Sequence, residues 1–248
     1  MIVGYHGGTR NDLLPTVWAH IDNKESRCVF FATMKNNEPE GVSVMTKKLL
    51  SGIQAGIAIS IGGAVFLACD NRYIGAVLFS VALLCIFIKG YSLYTGKIGF
   101  IPEAHGKEEI SVLLLGLLGN AIGTVLCGLA IRYALPSLGE TAETVCTLKL
   151  DQPFLSTLIR GIFCGILMYL AVSIFRDKKT IVGILFCIPV FILAGFEHSI
   201  ADIFYFSASG ITSVEAFGFI WTVILGNTIG GMLMPTLDMI CGVKIQKK

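Results

Sequence analysis

Ala194-Gly195-Phe196-Glu197-His198-Ser199-Ile200-Ala201-Asp202 sets a glycine, two carboxylates and a histidine inside an apolar run that extends from Ile181 to Phe206. A hydrocarbon core about 30 Å thick is crossed by about 20 apolar residues in a helix, so this polar break falls at membrane depth. Backbone freed there is tolerable only where protein buries it or where it lines a cavity. A second break, Ile88-Lys89-Gly90-Tyr91-Ser92-Leu93-Tyr94-Thr95-Gly96, interrupts the apolar run that starts at Tyr73. Matched interruptions in two parts of one chain point to a substrate path.

The rest of the 248-residue chain fits a membrane solvent. Hydrophobic side chains make up 54% of it and charged ones 15%, a balance far from that of an average soluble domain. Six spans are predicted: Leu49–Ala68, Tyr73–Tyr94, Ile110–Ala134, Leu155–Phe175, Ile181–Phe206 and Phe217–Val243. They make a transport domain over 46–243, preceded by an N-terminal segment over 1–45 and followed by a tail over 244–248. The net charge of +2 is small and the basic residues are scattered, which excludes a nucleic-acid surface. Eight cysteines with no Cys-x-x-Cys pair read as small buried hydrophobes. No signal peptide is expected, since residues 1–30 hold Asp12, Asp22 and Glu25 and no continuous apolar core.

Three local patterns recur at offsets of about 105 to 109 residues. Gly52-Ile53-Gln54-Ala55-Gly56-Ile57 aligns with Gly161-Ile162-Phe163-Cys164-Gly165-Ile166, and Leu118-Gly119-Asn120-Ala121-Ile122-Gly123 with Leu225-Gly226-Asn227-Thr228-Ile229-Gly230. Gly90 falls opposite Gly195. Three spans per half is an odd number, so the halves (about 49–134 and 155–243) are expected to be inverted, with the second and fifth helices broken, an aquaporin-like all-α architecture. Chance matching of small-residue patterns is the competing reading, and the shared order and offset argue against it. Lys47, Lys48, Lys97, Lys107, Arg176, Lys178, Lys179, Lys244, Lys247 and Lys248 fall on one side of these spans. The other side has Arg72, Arg132, Lys149 and Arg160, which predicts a multi-pass protein of the cell membrane with both termini cytoplasmic.

Half-helices ending at the breaks would direct N–H groups and partial positive charge toward the midplane, favouring anions. A histidine and a threonine there add donors without a permanent charge that would trap the ion. His198 is the leading candidate, because an ionisable group inside a span is costly and is by default functional. The alternative is a core histidine satisfied by a backbone carbonyl. Glu197 and Asp202 are read as caps or braces of the broken helix, since a bare carboxylate repels anions.

The run from Ala194 to Asp202, with the Gly-Asn-x-Ile-Gly pattern at Asn120 and Asn227, resembles the signature of the formate/nitrite transporter family over about residues 46–243. That resemblance implies a homopentamer with one pore per protomer, small monovalent anions and protons as substrates, and no cofactor. It also implies a central gate of His198 and Thr95, apolar constrictions at Phe79, Leu83, Tyr94 and Phe191, and an anion-attracting Lys149 with Asn227 in support. Two departures stand out: Ser92 lies where the family usually has an acidic residue, and Tyr169 where it usually has an asparagine. Lys89 either snorkels to an edge or adds positive charge to the path.

Two other classes fit less well. Water and glycerol channels use paired Asn-Pro-Ala turns, and no Asn-Pro dipeptide occurs. An intramembrane enzyme would need His198 to activate Ser199 or Glu197, yet adjacent residues project about 100° apart on a helix. His6, His20 and His105 lack metal-ligand spacing. Leu13, Leu14, Val17 and Trp18 suggest an amphipathic surface helix, with a flexible tail as the alternative.

Overall fold

A computed structural model describes residues 43–103 and 107–242 of the chain, and regular structure among them is entirely helical. The first helix, α1 (Val44–Ala68), starts where the Ser43 hydroxyl accepts the Thr46 N–H. It is followed by α2 (Arg72–Lys89), capped by the Asn71 carboxamide on the N–H groups of Tyr73 and Ile74. A four-residue helix, α3 (Tyr94–Lys97), leads into a 3-10 turn over Ile98–Glu103. Then come α4 (Lys107–Ala134), α5 (Pro136–Leu150), α6 (Phe154–Lys178), α7 (Val182–Leu193), α8 (Ser199–Ser209) and α9 (Val214–Ile240).

Five helices, α1, α2, α4, α6 and α9, are long and apolar enough to cross a bilayer. The run expected as a fifth span is divided into α7, of 12 residues, and α8, of 11. At about 1.5 Å per residue neither piece alone crosses 30 Å of hydrocarbon. The run expected as a second span stops being helical at Lys89, and beyond its break the chain makes a single short turn of helix, α3, in place of a second half-helix. Another addition is α5, which occupies the stretch read as an outer loop; Pro136 sits in its first turn, where a missing N–H costs nothing. The segment read as amphipathic, up to residue 42, and the tail over 244–248 lie outside the described residues.

Close backbone approach fixes the core. Gly52 and Gly56, four residues apart on one face of α1, meet Gly116, Gly119 and Gly123 of α4; a methyl group on Gly52 would lie 2.7 Å from the Gly116 carbonyl oxygen. Gly161 and Gly165 of α6 meet α9 in the same manner, Gly161 at Gly226 and Gly165 at Asn227 and Gly231, with a Gly161 methyl 3.1 Å from the Gly226 Cα. Apolar lipid supplies no hydrophobic drive between helices, so contact of this kind, opened by missing side chains, is what associates them. Each glycine seam places one asparagine, Asn120 of α4 or Asn227 of α9, beside a chain break.

Both breaks begin alike. Gly90 (φ 70°) ends α2 and Gly195 (φ 74°) follows α7, each in the left-handed region that costs glycine least. In each case the next residue reaches back five positions, Tyr91 N–H to Ile86 O and Phe196 N–H to Phe191 O, both at 2.9 Å. This is the Schellman arrangement, which satisfies helix-end carbonyls and turns the chain sharply.

Candidate functional site

The asparagines hold the breaks open in a defined shape. Asn120 Oδ1 accepts the Tyr94 N–H at 2.8 Å, and its Nδ2 donates to the carbonyls of Gly52 and Ser92, both at 2.8 Å. Asn227 Oδ1 accepts the Ser199 N–H at 2.9 Å, while its Nδ2 donates to the carbonyls of Gly161 and Glu197, each at 2.9 Å. Four polar backbone groups at the breaks that would otherwise be orphaned at depth are thereby paired, two by each carboxamide, and the Gly52 and Gly161 carbonyls, inside intact helices, anchor the two side chains. Several N–H groups expected to face the path are therefore occupied by side chains.

His198 caps α8. Its Nδ1 accepts the Ala201 N–H at 3.2 Å, so the histidine is satisfied by a backbone donor and not by a carbonyl. An Nδ1 that accepts carries no proton, which assigns the ring proton to Nε2 in the neutral tautomer. Nε2 lies 2.8 Å from Thr95 Oγ1, so the N–H donates to that hydroxyl and joins the second break to the first. The Phe191 ring stacks on the imidazole with centroids 5.7 Å apart and planes 15° from parallel.

The other predicted residues are distributed around this pair. Tyr94 is buried and anchored twice, its N–H on Asn120 and its hydroxyl on Thr228 Oγ1 at 2.7 Å. Since Thr228 itself donates to the Ile224 carbonyl, the Tyr94 hydroxyl is the donor. Phe79 and Leu83 share the buried face of α2, four residues apart, and the Phe79 ring lies over Gly62 of α1. Tyr169 is buried against Phe100, with ring centroids 5.5 Å apart, and lies beside Gly99 of the 3-10 turn. Lys89, at the end of α2, is exposed and is not brought to the central pair.

Lys149 is engaged with carboxylates. Its ammonium pairs with Glu197 and with Asp202 Oδ1, the latter at 3.0 Å, and lies 5.8 Å from the Tyr205 ring centroid. Gln152 Nε2 donates to Glu197 Oε1 at 2.8 Å. Removing one partner of a buried ion pair strands the others, at a cost of about 3–5 kcal/mol. Lys149→Met is therefore expected to lower the thermal stability of purified protein sharply, and adding Glu197→Gln with Asp202→Asn should restore most of it. A melting scan of the single and triple variants checks both halves of this expectation.

Several positioning residues carry no obvious sequence signal. Lys97 sits in a Gly-Lys-Ile-Gly context that reads as a flanking loop, yet it is 4% exposed and donates to Ser92 Oγ at 3.0 Å inside the first break. Its one available clue is its place two residues after Thr95. Arg72 and Arg160 donate to the carbonyls of Ile192 and Gly195 at the end of α7, at 3.1 and 3.0 Å, and Arg132 donates to the Ser209 carbonyl at the end of α8. Cations at helix C-termini also stabilise the partial negative charge there. Ser199 Oγ, by contrast, is buried without a hydrogen-bond partner, so it is not paired with the imidazole.

Broken helices joined at depth by a neutral imidazole and a hydroxyl, among helices fit to cross a bilayer, define a multi-pass integral membrane protein of the channel and transporter class. The chain belongs to the formate/nitrite transporter family: the family model described as "Formate/nitrite transporter" matches residues 31–240. It is similar to the formate-nitrite transporter of Plasmodium ovale, with 26% identity over 84% of this chain and 79% of the relative. It is likewise 26% identical to the nitrite transporter NirC of Escherichia coli, over 83% of this chain and 85% of the relative. Among solved structures, a pentameric formate channel with formate bound shares the fold, with a TM-score of 0.68, 23% identity, and coverage of 81% of this chain and 98% of that one. These family and structural neighbours are channels or transporters, not enzymes.

Proposed function

We propose that the chain forms a homopentamer in the cytoplasmic membrane, each protomer passing small weak-acid anions such as formate, nitrite or hydrosulfide together with a proton. Six spans in two inverted three-helix repeats, 49–134 and 155–243, would build each pore, with both termini cytoplasmic. The matched sets of asparagine bonds on the two breaks support the repeat. The single observation that carries the reading is the 2.8 Å bond between Thr95 and His198, which joins both breaks around a proton-bearing donor.

Moving a bare anion through a dry constriction is prohibitive unless its charge is neutralised or its water replaced. Phe79, Leu83, Tyr94 and Phe191 would strip water on either side of the centre, and Lys149 would draw the anion toward the wider entrance. With Nε2–H donated to Thr95, the threonine hydroxyl hydrogen remains available to the permeant. This arrangement stabilises an anion without a fixed charge, so binding is transient. Protonating the imidazole would require Nδ1 to give up the Ala201 N–H, so His198 serves as a hydrogen-bond donor and not as the source of the transferred proton.

Stopped-flow uptake into proteoliposomes tests the function directly. Formate, nitrite and hydrosulfide should enter well above the rate in protein-free vesicles, while chloride, the anion of a strong acid, should not. Equal permeation of chloride would contradict a path that depends on neutralising its cargo.

A further inference from the structure

The cluster around Lys149 contains one cation and two carboxylates. Glu197 and Asp202 are both almost fully buried, and Lys149 is the cation that pairs with each of them. Arg160 of α6, whose own carbonyl accepts the Glu197 N–H, directs its guanidinium instead to Ser156 and the Gly195 carbonyl. With both carboxylates ionised, the cluster would hold one uncompensated negative charge in a buried site, which is costly and would also repel an incoming anion.

Asp202 Oδ1 faces the ammonium, but Oδ2 is buried and receives no hydrogen bond. Asp202 and Glu197 both meet the Lys149 ammonium, so two buried carboxylates are held close together on one cation. One added proton, for which the unpartnered Asp202 Oδ2 offers a position, brings the cluster to zero net charge. Where two carboxyls share one buried site, like-charge repulsion favours keeping one of them protonated.

We propose that Glu197 and Asp202 form a proton-binding site that holds one exchangeable proton and supplies it to the permeating anion. The proposal rests on the transport function above and names the source of the proton that His198, held neutral by Ala201, does not provide. In the transfer step a carboxyl O–H bond breaks while an O–H bond forms on formate or nitrite, or an S–H bond on hydrosulfide, leaving both carboxylates ionised against Lys149 until the site is reloaded. Water in a cavity of about 260 Å³ lined by Gln152, Thr157 and Phe219 reloads the site, one water O–H bond breaking as the carboxyl O–H forms and the hydroxide returning to bulk water. Gln152 connects that cavity to Glu197 through its 2.8 Å bond. The other titratable groups facing the pair are Cys146 of α5, Cys164 of α6 and Tyr205 of α8, beside Lys149 itself. None of these adds a positive charge to the cluster beyond that of Lys149.

Infrared difference spectroscopy of the full-length protein in liposomes, titrated between about pH 5 and about pH 8, reads the proton without requiring flux. The expected result is a buried protonated-carboxyl C=O band that Asp202→Asn removes. Glu197→Gln provides a second reading from a residue outside α8. The ratio of wild-type to Asp202→Asn uptake should also change with pH, by up to about tenfold per unit where the pair titrates. A group that only braced the break would lower uptake by the same factor at every pH. No such band in the wild type, a band untouched by both variants, or a pH-independent ratio would each overturn the proposal. A wild type that shows the band yet moves no anion would instead refute the transport function and leave the proton site standing.

Discussion

His198→Phe is expected to abolish proton-linked anion uptake, with a loss on the order of a hundredfold, comparable to deleting one preorganised donor in a desolvated site. The aromatic ring preserves the stack on Phe191 but removes both nitrogens, the one that accepts Ala201 N–H and the one that donates to Thr95. An anion reaching the centre then meets a hydroxyl without its partner and a ring without a proton. His198→Asn separates the two roles. Asparagine is a favoured helix cap and keeps an acceptor for Ala201, but it is too short to reproduce the bond to Thr95. Its fold should therefore hold while uptake falls, as read by melting and stopped-flow flux on the same preparation. Unchanged flux in both variants would remove His198 from the mechanism.

Asn227→Ala is expected to be among the most damaging single changes to folding. It strands the Ser199 N–H and the Glu197 carbonyl at once, each an unpaired buried group worth about 1–3 kcal/mol, and removes the tie to the Gly161 carbonyl of α6. In lipid no water replaces the lost partners, so the second break closes or unfolds. Asn120→Ala should act in parallel on the first break, where it strands the Tyr94 N–H and the Ser92 carbonyl and removes the tie to the Gly52 carbonyl of α1. Yield and melting temperature of the assembled protein in detergent measure both. A mild effect at either position would mean that the breaks hold their shape through the Schellman turns at Gly90 and Gly195 alone.

Much of this organisation is legible in the chain because membrane depth makes polar residues and glycines expensive unless they have a purpose. Gly90 and Gly195 are visible as interruptions of apolar runs, and both adopt the left-handed turn that only glycine enters freely. Asn120 and Asn227 are visible in matching Leu-Gly-Asn patterns, but what they bind is not, since the bonded backbone lies 26 to 68 residues away. Unequal continuation of the two breaks was hidden as well: after Thr95 the chain contracts into a 3-10 turn, whereas after His198 it runs on as α8. Glu197 and Asp202 read as braces from position alone. Their joint pairing with Lys149 depends on α5, whose Thr- and Glu-bearing sequence lacks the hydropathy that marks the spans.

Proton coupling and anion choice have one physical origin, the need to cross the centre with little net charge. Formate uptake into proteoliposomes under an imposed potassium diffusion potential, with lumenal pH recorded simultaneously, addresses that need most directly. Passage as a near-neutral species predicts that the rate is insensitive to the potential and that the lumen acidifies as formate enters. A rate that rises with inside-positive potential while lumenal pH stays constant would mean that the bare anion crosses, and would contradict a central gate built from His198 and Thr95.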